Sequence, residues 1–452
     1  MNNEQRAKMM GEEKIPKVLR TLALPAIIGM LVTAVYNIVD TLFVSMLGTE
    51  AIGAVSVVYP MFMLLSAIGL MYGIGSASYV SRLLGQNDKK KADVVASTTI
   101  VTSLVTAVLV MFALSIGLKP VLSAFGATPD ILDLAVSYGR ILVYGAIFTI
   151  INMTLNNLLR AEGSAKYSMI ALMTGAILNI ILDPVLIFVF DMGVSGAALA
   201  TVLSQGVSTI LLFSFFLRRK SVLHFSMKLV KPSKNLYTEL YKIGIPTFLR
   251  QFLMSFSMGL LNTAASAYGA SALASLGIVT KVFSLSAMVV FGFAQAFQPV
   301  AGYNYGAGLT SRLKETIKVS LIWSTIFTSI STLVYFAFTP QIIGVFSNDP
   351  QVLEISIRAM RLMVLFLPLF GFQVIYGTLF QALGKGRQAA ILSLSRQGIF
   401  LIPAILILPN IFGLDGVLFA QPFADLCTIL LTGLFAIGIH KELNKKELAQ
   451  AA

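Results

Sequence analysis

Charge is scarce in this chain. Of its 452 residues only 12% are Asp, Glu, Lys or Arg, about half the ~25% of a soluble domain. There is one cysteine, Cys427, so no disulfide can close within the chain and no thiolate metal cluster is expected. The two histidines, His224 and His440, lie near the ends of apolar runs, with no HExxH or nucleophile motif beside them. A membrane enzyme would need such a catalytic set, so no enzymatic activity is expected. The chain also lacks a basic–aromatic motif for nucleic acid and a cleavable signal pattern, because its polar start leads into an apolar segment too long for a signal sequence.

Apolar residues fill the space these absences leave. They make up 57% of the chain and recur in runs of about 20, the length that crosses a bilayer as a helix. An all-α, polytopic membrane protein is expected, with twelve helices at about 17–46, 52–82, 94–118, 130–160, 166–190, 194–219, 238–267, 273–303, 313–338, 350–381, 387–408 and 414–440. The net charge of +13 follows this plan. Basic residues crowd the N-terminus, the turns around Arg82 and Lys89–Lys91, Arg160 and Lys166, and the centre from Arg218 and Arg219 to Lys242. They recur at Arg312–Lys318, Lys385, Arg387 and the C-terminus, while the alternate loops hold Glu50, Asp130, Asp133, Asp191, Asp349 and Asp415. By the positive-inside rule both termini are expected on the cytoplasmic side of a plasma or inner membrane.

The two halves repeat. A shift of 221 residues lays Leu24–Pro25 on Ile245–Pro246, Gly48 on Gly269, Gly85 on Gly306, Arg140 on Arg361 and Gly163 on Gly384. Six helices per repeat is an even number, so two parallel six-helix bundles related by a pseudo-twofold axis along the membrane normal are expected. The division is 1–220, a polar cytoplasmic linker at 221–236, and 237–452. Two like bundles leave a central cleft, the architecture of alternating access.

Function is expected where the halves cease to match. Residues 27–48 form an apolar run with Asp40 inside it, and Thr33, Tyr36, Asn37 and Asp40 share one helical face. An aspartate at bilayer depth costs roughly 2.5–3.5 kcal/mol, so that face must look at protein or water. The fifth helix reads LNIILDPVLIF, with Asn179 and Asp183 one turn apart and Pro184 set to kink the helix and free a backbone carbonyl. The repeat puts Leu261, Phe400 and Ala404 where Asp40, Asn179 and Asp183 stand. An acid needed only for folding would recur in both copies. Two carboxylates in one low-dielectric pocket cannot both stay ionised comfortably, so an ion- or proton-responsive site is expected there.

Other polar groups mark a substrate cleft: Asn152, Asn156 and Asn157 in the fourth helix, and Thr201 and Gln205 in the sixth. In the second half Gln251, Ser255, Met258 and Asn262 form a stripe, with Gln295 and Gln298 on the eighth helix and Gln373 and Tyr376 on the tenth. Neutral polar groups among methionines and aromatics suit varied apolar cations. Asp425 is a second candidate acid, with Arg250, Lys281 and Arg396 as partners or as residues that snorkel to the interface.

The duplicated six-plus-six plan, GTEAIGAVSVVYP after helix one, SRLLGQND after helix two and LRAEGSAKYSMIALMTGAILNIILDP across helices four and five resemble the multidrug and toxic compound extrusion (MATE) transporters. Within them the acids of the first half are similar to the DinF-like branch and its Mep-type exporters. The resemblance implies a cation site at Asp40, Asn179, Asp183 and Thr201, which would ligate the metal if the ion is Na⁺, and drug contacts near Asn156 and Asn157. It implies exchange of H⁺ or Na⁺ for organic cations or amphipathic drugs across the lipid bilayer; a monomer is expected, with no cofactor beyond the coupling ion. The NorM-like branch places acids in helices seven and ten, where this chain has Gln251 and Gln373, so a sodium site of that kind is not expected. The rival reading, a lipid-linked oligosaccharide flippase of the same superfamily, needs basic residues in the cleft, and the candidates there are acidic or neutral.

Overall fold

The computed structural model describes residues 3–218 and 220–451; Arg219, counted above with the central basic cluster, lies outside them. Helices account for nearly all of the chain, beginning with the short α1 (Asn3–Gly11). The first bundle contains α2 (Ile15–Ser45), α3 (Thr49–Gly85), α4 (Lys89–Ala124), α5 (Pro129–Tyr144), α6 (Ala146–Ala161), α7 (Ala165–Pro184) and α8 (Gly193–Leu217). The second contains α9 (Lys234–Ser266), α10 (Ala270–Gly306), α11 (Thr310–Gly344), α12 (Pro350–Met363), α13 (Leu367–Ala382), α14 (Gly386–Leu394), α15 (Ile402–Phe412) and α16 (Leu414–Ala451).

Among the described residues nine helical spans are each long and apolar enough to cross a membrane. The pairs α5–α6 and α12–α13 supply two more, each bent, by 48° and 51°. The twelfth is α9, 33 residues long, whose apolar character is lowered by Arg250, Gln251 and Asn262 within its body. Twelve spans in two bundles match the expected plan, but the breaks in the fourth and tenth were not expected. Gly145 at the first break carries a helical backbone, so its role is spatial: a Cβ there would meet Val202 at 2.3 Å. The repeat survives in the turns: Gly48 and Gly269, with φ of 103° and 100°, each open the second helix of a half, a conformation that L side chains avoid.

The fifth span of each half also carries a π-helical turn. One, Val185–Val189, follows Pro184, and the other, Ser395–Leu401, joins α14 to α15. Proline removes an N–H and collides with the carbonyl one turn back, which loosens the ladder at Asp183 as the sequence suggested.

The bundles meet on the side that carries the basic turns. Ser78 Oγ donates to the Gln381 carbonyl at 2.5 Å, and Arg82 Nη2 on α3 reaches Glu239 on α9 at 2.8 Å. Glycine lets the backbones touch. A Cβ at Gly85 would lie 2.1 Å from the Tyr303 carbonyl oxygen, and one at Gly306 2.1 Å from that of Arg82. Residues at the far ends, such as Met46, Ile38 and Phe346, are exposed.

The segment between bundles is anchored rather than loose. The backbone N–H of His224 donates to Asp93 at 2.7 Å, that of Ser226 to Ser97 Oγ at 3.2 Å, and that of Lys231 to Thr98 Oγ1 at 3.0 Å, all on α4. Its start is held by Glu162, a buried carboxylate in the turn after α6. Glu162 accepts from Ser164 Oγ and Ser221 Oγ at 2.5 Å, from the Leu223 N–H at 2.9 Å, and faces Arg6 of α1 at 3.5 Å. Burial pushes its carboxyl up from the ordinary value, and these donors with the Arg6 charge pull it back. Glu162→Ala would remove the buried acceptor shared by three donors and the carboxylate that faces Arg6. It is expected to cost about 3–5 kcal/mol, read as a lower melting temperature of the detergent-solubilised protein, with Glu162→Gln intermediate.

Candidate functional site

The polar groups of the first bundle converge from four helices. Asp183 on α7 is fully buried, Asn179 one turn earlier is 2% exposed, and Thr201 on α8 is 8% exposed. Asn179 Nδ2 donates to Asp183 Oδ1 at 3.3 Å and to Thr201 Oγ1 at 3.5 Å. From α2, the half-buried Asp40 brings its carboxyl within hydrogen-bonding reach of Asp183. The four residues expected to form the cation site therefore share one chamber.

Three oxygens in this chamber have no donor among the described residues: Asp40 Oδ1, Asp183 Oδ2 and Asn179 Oδ1. Buried acceptors without partners are rare and costly. Two touching carboxyl groups also repel unless a proton or a cation stands between them. An all-oxygen set of two carboxyls, an amide and a hydroxyl suits a hard cation such as Na⁺ as well as a shared proton.

Tyrosines stand around these acids. Tyr36, one turn before Asp40, and Tyr138 on α5 both lie close enough to feel the charges of Asp40 and Asp183, and Tyr59 on α3 stands next to Tyr36. Tyr138 is not among the residues expected at the site. It lies in SYGR near a span end, where a tyrosine reads as an interfacial anchor, and only the convergence of α5 on α2 shows its place. Asn37, expected on the Asp40 face, is exposed at its edge, because a helix steps 100° per residue and the chamber takes only the narrower Tyr36–Asp40 line.

The fourth-span asparagines divide. Asn152 Nδ2 donates to Ser208 Oγ at 2.9 Å and Thr209 Oγ1 at 3.2 Å, tying α6 to α8. Asn156 donates to Asn152 Oδ1 at 2.8 Å and accepts from Ser168 Oγ at 2.7 Å, with 1% of its surface exposed. Both are buried struts inside the bundle, with Asn152 tied to α8, Asn156 to Ser168 of α7, and the two amides to each other along α6. Gln205 likewise accepts from Thr149 at 2.6 Å. Asn157 instead lines a cavity of about 10 Å³ between the bundles with Arg160, Gln295 and Gln298, where Gln295 Oε1 and Gln298 Nε2 have no partner among the described residues.

In the second bundle Gln251 and Met258 are half-buried on α9 while Ser255 and Asn262 are exposed. Tyr376 is buried and hydrogen-bonded to His440 Nε2 at 2.7 Å, near the basic end of α16, which removes it from the expected substrate surface. Asp425 is paired with Arg396 at 2.6 Å; Lys281 is exposed. Arg250, by contrast, is half-buried with its Nε enclosed, and of the three expected partners of Asp425 only Arg396 is paired with it.

Comparison with known proteins agrees with the duplicated architecture. The MatE family model matches residues 25–185 and again 246–406, the two blocks being offset as the internal repeat is. A protein named multidrug export protein MepA, from Staphylococcus saprophyticus, is 30% identical over 437 residues, covering 96% of this chain and 96% of its own. The protein of the same name from Staphylococcus aureus strain MSSA476 is 31% identical over 421 residues, covering 92% and 93%. A solved outward-facing structure of a multidrug resistance MATE family transporter of the MOP superfamily superposes with a TM-score of 0.92 at 27% identity, covering 97% of this chain and 98% of its own. The chain belongs to the MatE family, the multidrug and toxic compound extrusion transporters that its sequence resembles.

Proposed function

We propose that the protein exports amphipathic organic cations and drugs in exchange for H⁺ or Na⁺ by alternating access. One observation carries the coupling: the Asp40 and Asp183 carboxyls meet in a chamber whose remaining oxygens lack donors. An ion between them removes their repulsion and lets α2 settle against α7. Its departure leaves a negative chamber that favours a cationic drug in the cleft. Ion and drug thus oppose each other through the same bundle, each lowering the other's affinity by the same coupling factor. The names of the staphylococcal relatives support the drug class, and the fit to an outward-facing relative supports a state closed on the basic side.

In this reading residues 1–220 and 237–452 move as lobes about the 221–236 segment, both termini are cytoplasmic, and the chain works as a monomer in the cell membrane. The test is uptake of a fluorescent cation into inside-out proteoliposomes under an imposed pH or Na⁺ gradient. Gradient-driven accumulation with one of the two is expected, and its absence with both would overturn the proposal.

A further inference from the structure

The fifth spans of the two halves carry opposite charge. In the first bundle this span brings Asp183 beside its π-helical turn; in the second, the π-helical turn Ser395–Leu401 carries Arg396. Arg396 Nε donates to Asp425 Oδ1 at 2.6 Å and its guanidinium lies 4.9 Å over the Phe370 ring. Gln421 Nε2 also donates to Asp425 Oδ1, at 3.1 Å. The one carboxylate of this cluster is therefore already engaged by Arg396.

Arg250 is the surplus charge. It lies on α9 in line with the buried residues Ile243, Thr247, Ser257 and Leu261, at helical spacing, so it points the way they do, into the bundle. Its Nε has no hydrogen-bond partner among the described residues, and the charge that bears on it is that of Arg396, of like sign. An intramembrane guanidinium with a buried donor to spare, held near a second one, is an expensive arrangement to keep for packing alone. A planar fork of donors is the group that recognises a carboxylate or phosphate.

We propose that Arg250, with Arg396 held in place by Asp425, forms an anion subsite in the second bundle that takes the carboxylate or phosphate of a zwitterionic amphiphile. The cationic end of such a molecule would face the Asp40–Asp183 bundle, so the two lobes would read the two ends of one dipolar cargo. The assignment of the ligand as cargo rests on the export reading; the subsite does not, because equilibrium binding detects it with no ion gradient.

The experiment compares binding of tetramethylrhodamine, a zwitterion with a free carboxylate, and of its methyl ester, a cation, to the full-length protein in nanodiscs by fluorescence anisotropy. Arg250→Gln should weaken the zwitterion about tenfold or more, the worth of a charge-assisted hydrogen bond, while leaving the ester within about twofold. Arg250→Lys should keep part of the preference. Ester binding serves as the control for folding. Competition by phosphatidylglycerol in the nanodisc, set against phosphatidylcholine, assigns the subsite to an anionic lipid headgroup; lack of competition assigns it to cargo. Equal loss of both dyes, or no change in either, overturns the proposal.

Discussion

Asp183→Asn should leave a transporter that folds, binds drug and equilibrates it across the membrane, yet no longer concentrates it. The chamber would keep its shape, because an amide fills the volume of the carboxyl and Asn179 still stands one turn away. It would lose the repulsion with Asp40 that only an ion can relieve. Drug and ion would then no longer compete, and the ion gradient would have no purchase on the drug. Coupling between two sites of one protein commonly amounts to about 1–3 kcal/mol, or 5–150-fold in affinity. The gradient-driven accumulation ratio should fall by a factor in that range, measured as steady-state uptake of a fluorescent cation in proteoliposomes. Asp40→Asn should do the same from the other side of the pair. Tyr138→Phe, which removes a hydroxyl near both acids, should shift the ion dependence by less.

Gly306→Leu should prevent the bundles from closing on the basic side. A Cβ at this position would fall 2.1 Å from the Arg82 carbonyl oxygen, and one at Gly85 would fall 2.1 Å from that of Tyr303. The obstacle in each case is backbone, which no rotamer change relieves. Overpacking of this kind costs about 1–3 kcal/mol, enough to lower the population of the closed state about 5- to 150-fold. The native Cys427 is the only thiol, so a Cys427→Ser, Ser81→Cys background gives a clean reporter at this seam. Ser81 is fully buried there. Maleimide labelling of Cys at position 81 from the basic side should rise with Gly306→Leu and stay low in the parent. Transport should be lost in the same variant because one of the two states is no longer accessible.

The scaffold was legible in the sequence because hydrophobic length and charge alternation are one-dimensional signals. The 221-residue repeat, the twelve spans and the one-sided acids all follow from counting along the chain. The shape within a span was less legible. The bend after Tyr144 has no proline at the break, whereas Pro368 opens the helix after the Met363 bend and Pro403 follows the π-helical turn at Ser395, markers that the apolar pattern alone does not turn into a break. The site was half legible. Asp40, Asn179 and Asp183 could be grouped by chemistry and Thr201 joined them through the family resemblance, but Tyr138 could not, because it enters from a helix whose facing residues only the fold decides. The asparagines of α6 divide for a related reason: an amide inside a membrane helix looks the same in sequence whether it lines a cavity, as Asn157 does, or holds helices together, as Asn152 does. Arg250 was ambiguous until Arg396 was found to occupy Asp425.

The proposed exchange depends most on one ion, held jointly by Asp40 and Asp183, being displaced when drug binds. That displacement is tested by titrating drug into the purified protein and counting the ions released, protons with a pH dye in weak buffer and sodium with a ²²Na⁺ displacement assay. The expected result is release of one kind of ion on drug binding by the wild type and its loss in Asp40→Asn and Asp183→Asn with drug binding retained. Release undiminished in both variants would place the coupling ion elsewhere and contradict the account.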